Sequence, residues 1–176
     1  MSFIPCGRTL FRGALAVAFT GTAACGNSGQ AAPDARTDAA PATSEAAPAV
    51  PADAPLAVVY KSPTCGCCNA WVTHMRENGF RVETHDTEAV DSVKDNGRVP
   101  QGARSCHTAR VGPYVIEGHV PADLIKQLLR EHPQDVAGLA VPGMVTGSPG
   151  MEGPNPEHYD VIAFTKDGQT RVYASR

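Results

Sequence analysis

Leu56-Ala-Val-Val-Tyr-Lys-Ser-Pro-Thr-Cys-Gly-Cys-Cys-Asn-Ala-Trp-Val-Thr-His-Met75 is the stretch that decides the fold. Leu56 to Tyr60 is a short apolar run rich in β-branched residues, the pattern of a buried strand. Ser62-Pro63-Thr64 breaks it, and a helix is expected to begin around the cysteines. Cys68, Trp71, Val72 and Met75 recur at i, i+3, i+4 and i+7, so they share one helical face. Trp71 and Met75 therefore read as core. Asn78-Gly79 is a natural helix stop.

Working outward from this unit, Phe80 to His85 alternates like a second strand, and Thr87 to Asn96 reads as a short helix ending at Gly97. Thr108–Val111 and Tyr114–Glu117 read as strands around Gly112-Pro113. Pro121 opens a helix whose buried stripe is Leu124, Ile125, Leu128 and Leu129. Residues 134–158 form a Gly/Pro-rich loop with two methionines. Val161–Phe164 and Thr170–Tyr173 flank Asp167-Gly168, a hairpin signal. The expected class is α/β, in the order β-α-β-α-β-β-α of a thioredoxin-like domain, with a Gly/Pro/Met loop and a C-terminal β-hairpin.

The N-terminal third has a different character. Residues 1–25 read as an export signal, with Arg8 and Arg12 before the apolar run Gly13–Ala24, which is too short for a permanent membrane span. Thr22-Ala-Ala-Cys25 resembles a bacterial lipobox, which would lipidate Cys25 and remove Cys6. Thr22 stands where a larger aliphatic residue is usual, and cleavage nearby to release a soluble protein is the alternative. Residues 26–55 are almost wholly Ala, Pro, Gly, Ser, Thr and Asp, a composition expected for a disordered tether. The remaining 56–176 is one domain. The expected location is the periplasm, tethered to the outer membrane through Cys25. With a net charge of -3, nucleic acid is not expected as a partner, and the membrane is met only through lipid.

Cys65-Gly66-Cys67-Cys68 packs three thiols into four residues. At a helix N-terminus, backbone N–H groups and the dipole favour thiolate, the nucleophile and soft-metal ligand. Such a density suits Cu(I), with Zn as competitor. If the domain is thioredoxin-like, Ser105-Cys106-His107 lies before the third strand and faces that helix terminus, so Cys106 supplies a fourth thiol. Two structural disulfides are the competing account for an exported chain. Against it, adjacent Cys67 and Cys68 rarely bridge without strain. His107 and His119 are candidate ligands from the same end of the sheet, with Glu117 close by. Met144 and Met151 could offer thioethers or simply fill gaps in the core. His74 is expected at the surface. His85, His132 and His158 have no evident partner.

Lys61-Ser-Pro-Thr-Cys-Gly-Cys-Cys68, Ser105-Cys-His-Thr-Ala109, Glu117-Gly-His-Val-Pro-Ala122 and Gly138-Leu-Ala-Val-Pro-Gly-Met144 through Gly147-Ser-Pro-Gly-Met151 resemble the CopG-type periplasmic copper-resistance proteins. The resemblance runs from about Val58 to the C-terminus. It implies a thioredoxin-like fold and a cysteine-bridged cluster of more than one copper ion, with Cys65, Cys67, Cys68 and Cys106 as its thiols. It also implies a role in copper resistance or copper redox handling. Val145 departs from the Pro expected after Met144. Partners would be copper ions and other periplasmic copper-handling proteins. The residues are compatible with a copper oxidoreductase; the alternatives are a thiol-disulfide oxidoreductase using Cys65 and Cys68 and a non-redox copper carrier. Cys67 between the redox pair would trap mixed disulfides, and Cys106 stands where thioredoxins place a cis-proline.

Overall fold

A computed structural model describes residues 50–176. The segment expected to be an export signal, Cys25 and most of the Ala/Pro-rich stretch lie outside the described residues. Within them, the order is β1 (Leu56–Lys61), α1 (Gly66–Glu77), β2 (Arg81–Asp86), α2 (Val90–Asn96), a 3-10 turn (Gln101–Ala103), β3 (His107–Val111), β4 (Tyr114–Glu117), α3 (Ala122–Glu131), β5 (Gly138–Ala140), β6 (Asp160–Phe164) and β7 (Thr170–Ser175). One mixed seven-stranded sheet has the spatial order β2-β1-β3-β4-β5-β6-β7. β1 and β2 are parallel, joined through α1, whereas β3 runs antiparallel to both β1 and β4. β6 and β7 form the expected antiparallel hairpin.

Strand alternation sorts the side chains onto two faces. On one, Ala57, Val59, Ala109, Val111, Tyr114 and Ile116 pack with Trp71, Val72 and Met75 of α1 and Leu124, Ile125 and Leu128 of α3. On the other, Val115 joins Val99, Ala103, Ala140 and Phe164. Helices α1 and α3 thus cover one face, and α2 approaches the other. No helix among the described residues is long and apolar enough to cross a membrane.

Several details differ from expectation. The C-terminal loop contains β5, whose three residues pair parallel to β4. Its apolar run Gly138–Ala140 is too short to announce itself against the Gly/Pro background. Pro121 is the residue before α3 rather than its first turn, a one-residue difference of the kind helix ends commonly show. Leu129 is only half-buried, at the margin of the stripe. His74 is not a free surface residue: its Nε2 accepts the Ala122 N–H at 3.2 Å and so caps α3 from α1. Burial holds its imidazole below the usual histidine range, which keeps that nitrogen an acceptor. His85 meets Glu83 at 2.6 Å and stacks on Tyr60.

Candidate metal centre

Four chain segments meet at one end of the sheet. The first is the start of α1. Cys65 precedes the helix in extended conformation, with its N–H donating to the Ser62 carbonyl. Cys68 points into the core on the Trp71–Met75 face and is fully buried. Cys65 and Cys68 are disulfide-bonded. The thiolates expected at this helix terminus are therefore oxidised at two of three positions. A C-x-x-C pair spans one helical turn, which brings its ends within bridging range. The half-buried Cys67 thiol is free, 3.5 Å from the Cys65 sulfur.

The second segment is the loop before β3. Its Cys106 sulfur lies 3.3 Å from His107 Nδ1 and 3.1 Å from His119 Nε2. Burial, followed by the neighbouring Cys67 sulfur, raises the Cys106 thiol to about 11. At neutral pH it is a thiol.

His119, in the third segment after β4, has a determined tautomer. Its Nδ1 donates to the Pro149 carbonyl at 2.7 Å, because a carbonyl can only accept. The lone pair then sits on Nε2, facing Cys106. Burial holds His119 below the ordinary histidine range, and His107 well below it, aided there by the His119, Lys94 and Lys61 charges. Both shifts favour the neutral imidazole, the form that can act as a ligand. His107 is fully buried against Trp71, with ring centroids 4.5 Å apart, and its Nε2 has no hydrogen-bond partner. Trp71 in turn donates through Nε1 to the Val120 carbonyl at 2.9 Å, which ties α1 to the His119 segment.

The fourth segment is the Gly/Pro loop. Gly150 has φ +82° and lies directly on the first turn of α1. A Cβ there would come within 2.6 Å of the Trp71 nitrogen and 2.9 Å of the Cys67 carbonyl. Only glycine allows this approach. Met151 is half-buried in this loop, whereas Met144 is 61% exposed, one residue beyond the Gly143 carbonyl that accepts the Ser105 hydroxyl. The two methionines thus occupy different environments.

The donor atoms of Cys65, Cys67, Cys68 and Cys106 all lie within 4.8 Å of one another, and so do those of Cys106, His107 and His119. Cys106 belongs to both groups. Soft sulfur and imidazole donors at this density fit a soft metal such as Cu(I), with Zn able to compete.

The sequence pattern did not reveal what lies behind Cys106. Glu117 is completely buried and accepts from Lys94 Nζ (2.7 Å), the Ser105 N–H (2.7 Å) and the Thr108 hydroxyl (2.6 Å). Lys94 is itself 3% exposed. Burial raises the Glu117 carboxyl, and the Lys94 charge and the three donors pull it back. A lysine on a short polar helix gives no sign of burial, so only the Glu-Gly-His motif pointed here.

Comparison with known proteins now bears on this arrangement. The family model described as "Protein of unknown function, DUF411" matches residues 103–151, from just before Cys106 to Met151. No curated protein matches the chain. The solved structure "Copper resistance protein copG- Form 2" is 38% identical, with a TM-score of 0.67, covering 70% of this chain and 99% of that one. "Copper resistance protein copG- Form 1" is 39% identical, with a TM-score of 0.65, covering 69% and 96%. On this similarity, which spans nearly the whole of the solved proteins, the chain belongs to the CopG copper-resistance protein family.

Proposed function

We propose that this protein binds copper in copper resistance or copper redox handling, holding more than one ion among Cys65, Cys67, Cys68, Cys106, His107 and His119. The observation that carries this reading is the sharing of Cys106 between a four-sulfur group and a Cys/His/His group. A thiolate can bridge two soft cations, so a donor common to both groups favours a cluster over separate sites. Cys106 would give up its proton on binding. His119 would present Nε2, its tautomer fixed by Pro149. Met151, on the loop packed against α1, is a further candidate ligand. Met144 would act at the rim.

The bonded Cys65–Cys68 pair must first be opened. Two electrons and two protons convert it to two thiols, and a dithiol reductant can supply both. Two Cu(I) ions passing to Cu(II) would supply two electrons without protons, leaving two thiolates as ligands, which is the form a copper oxidoreductase activity would take. The strand order β2-β1-β3-β4, with α1 and α3 on one face and α2 on the other, supports a thioredoxin-like reading of 56–131. The proposed setting is the periplasm, with residues 26–55 tethering the domain to a lipidated Cys25 at the outer membrane.

The same disulfide favours a second reading, thiol-disulfide exchange through Cys65 and Cys68. Anaerobic Cu(I) titration of the reduced protein against a calibrated chelator separates the two. More than one tightly held copper per chain, falling in Cys106→Ser, supports the cluster. No binding tighter than that of a simple thiol peptide, together with insulin-disulfide reduction that survives Cys67→Ser, would overturn it in favour of exchange. Copper that binds but does not cycle under ascorbate and oxygen would leave a non-redox carrier.

A further inference from the structure

Thr108 and Glu117 share the face of the sheet turned toward α2. His107 and Ala109 face α1, so the alternate residue Thr108 faces α2. Its antiparallel partner is Glu117, on that same face. Lys94 reaches up from α2 to donate to both Glu117 Oε1 and Thr108 Oγ1. Lys94, Thr108 and Glu117 are each no more than 3% exposed. Donors at both carboxylate oxygens leave Glu117 acting only as an acceptor, the role of an ionised carboxylate.

Stapling β3 to β4 does not require Glu117 to reach beyond the sheet, yet it does. Its Oε1 also accepts the Ser105 N–H, outside β3 and immediately before Cys106. The same loop is gripped from two other directions. The Gly118 N–H donates to the His107 carbonyl at 2.9 Å, and the Ser105 hydroxyl donates to the Gly143 carbonyl. Gly118, at φ +68°, leaves no space for a Cβ, which would lie 2.5 Å from Ser105. Only Glu117 brings a charge, and that charge is anchored to a separate helix.

We infer that Glu117 is a positioning residue for the metal centre: held by Lys94 and Thr108, its carboxylate clamps the Ser105 N–H and so fixes the Cys106 sulfur between Cys67 and His119. It acts through the Ser105 N–H and belongs to neither donor group, so it need not touch copper. The inference rests on the copper reading for its consequence, but the clamp itself can be observed without copper.

The test has two arms. In the first, Cu(I) affinity and the sulfur-to-copper charge-transfer band are measured for wild type, Glu117→Gln, Cys106→Ser and the double variant. Loss of a partner that orients a ligand typically weakens metal binding by about 10–100-fold, and that loss is expected in Glu117→Gln, with a shifted band. In the Cys106→Ser background, Glu117→Gln should cost nothing further. Equal losses in both backgrounds, or an unchanged band and affinity in Glu117→Gln, would overturn the inference. Should Glu117→Gln fold poorly, Lys94→Met with Glu117→Gln removes both buried charges together, and the same comparison is made there.

The second arm uses metal-free protein and reads amide hydrogen exchange. In Glu117→Ala, the Ser105 and Cys106 amides should exchange faster while those of β6 keep wild-type protection. Unchanged Ser105 exchange would overturn the clamp whatever copper does. If wild type binds no copper but Ser105 exchange responds, the copper reading fails and the clamp stands.

Discussion

The two halves of the donor cluster are built differently. Cys65, Cys67 and Cys68 sit on a helix start, held by local turns and open to oxidation, and two of them are bonded to each other. Cys106, His107 and His119 sit on strand ends, with both imidazoles buried and the loop fixed by Glu117, Gly118 and Gly143. One half joins two sulfurs three positions apart at a single helix start. The other gains its geometry from residues scattered over two strands, a helix and the Gly/Pro loop. On the proposed copper reading the contrast becomes a division of labour: a rigid, pre-oriented side would receive metal, and an adjustable side would open or close access to its sulfurs.

The most damaging way to break this division is to remove the donor the halves share. Cys106→Ser should weaken Cu(I) binding by more than the 10–100-fold typical of an outer-shell loss and reduce the number of ions bound, read by chelator competition. Gly150→Val tests how the loop closes over the adjustable half. Its side chain would meet the Trp71 nitrogen and the Cys67 carbonyl. A loss of about 1–3 kcal/mol in urea unfolding is expected, with weakening of the Pro149–His119 hydrogen bond visible in the His119 ring resonances.

Opening the disulfide should have an effect of similar size. Only three positions separate Cys65 from Cys68, so loop-closure entropy limits its contribution to about 2 kcal/mol. Urea midpoints with and without a reductant measure this, and a larger loss would mean the helix start depends on the bridge more than its local hydrogen bonds imply.

The smallest effect sharpens the rigid half. His107 and His119 have folded-state pKa values below their unfolded value of about 6.5. The unfolded chain therefore takes up protons first as pH falls through 6.5. Stability is fully present above that pH and declines below it, until the folded-state values are reached. The slope is at most about 1.4 kcal/mol per pH unit for each ring. Thermal unfolding of metal-free protein at pH 7.5 and 5.5 should show the decline, and His107→Gln should flatten it.

Legibility in the sequence followed the same divide. The helix carrying Cys68, Trp71, Val72 and Met75 announced its buried face, and those four are the buried residues of α1. Its position, and that of Cys106 across from it, followed from periodicity and element order. The clamp did not. Lys94 is buried against the grain of its type, and its partner Glu117 ends a strand whose four residues are all buried, so alternation carried no signal there. The role of His74 is hidden from the sequence for a related reason. Its spacing described α1 alone, and the group it serves belongs to α3. The Cys65–Cys68 bond was one of the open alternatives, because C-x-x-C spacing permits both a redox pair and a ligand pair.

The assembly of the centre from segments as distant as Cys65 and Pro149 has a kinetic consequence. Contacts of such sequence separation are made late, because the loops between them must close first. Early in folding, the Cys-Gly-Cys-Cys turn is a simple local thiol peptide, exchanging metal and disulfide partners freely. On the copper reading, selective capture would begin only after the hairpin of β3 and β4 has formed and the Gly150 loop has settled on α1. The order of events along the folding path would then separate indiscriminate thiol chemistry from specific metal retention, and a chain trapped half-folded would behave as a leaky, promiscuous version of the finished protein.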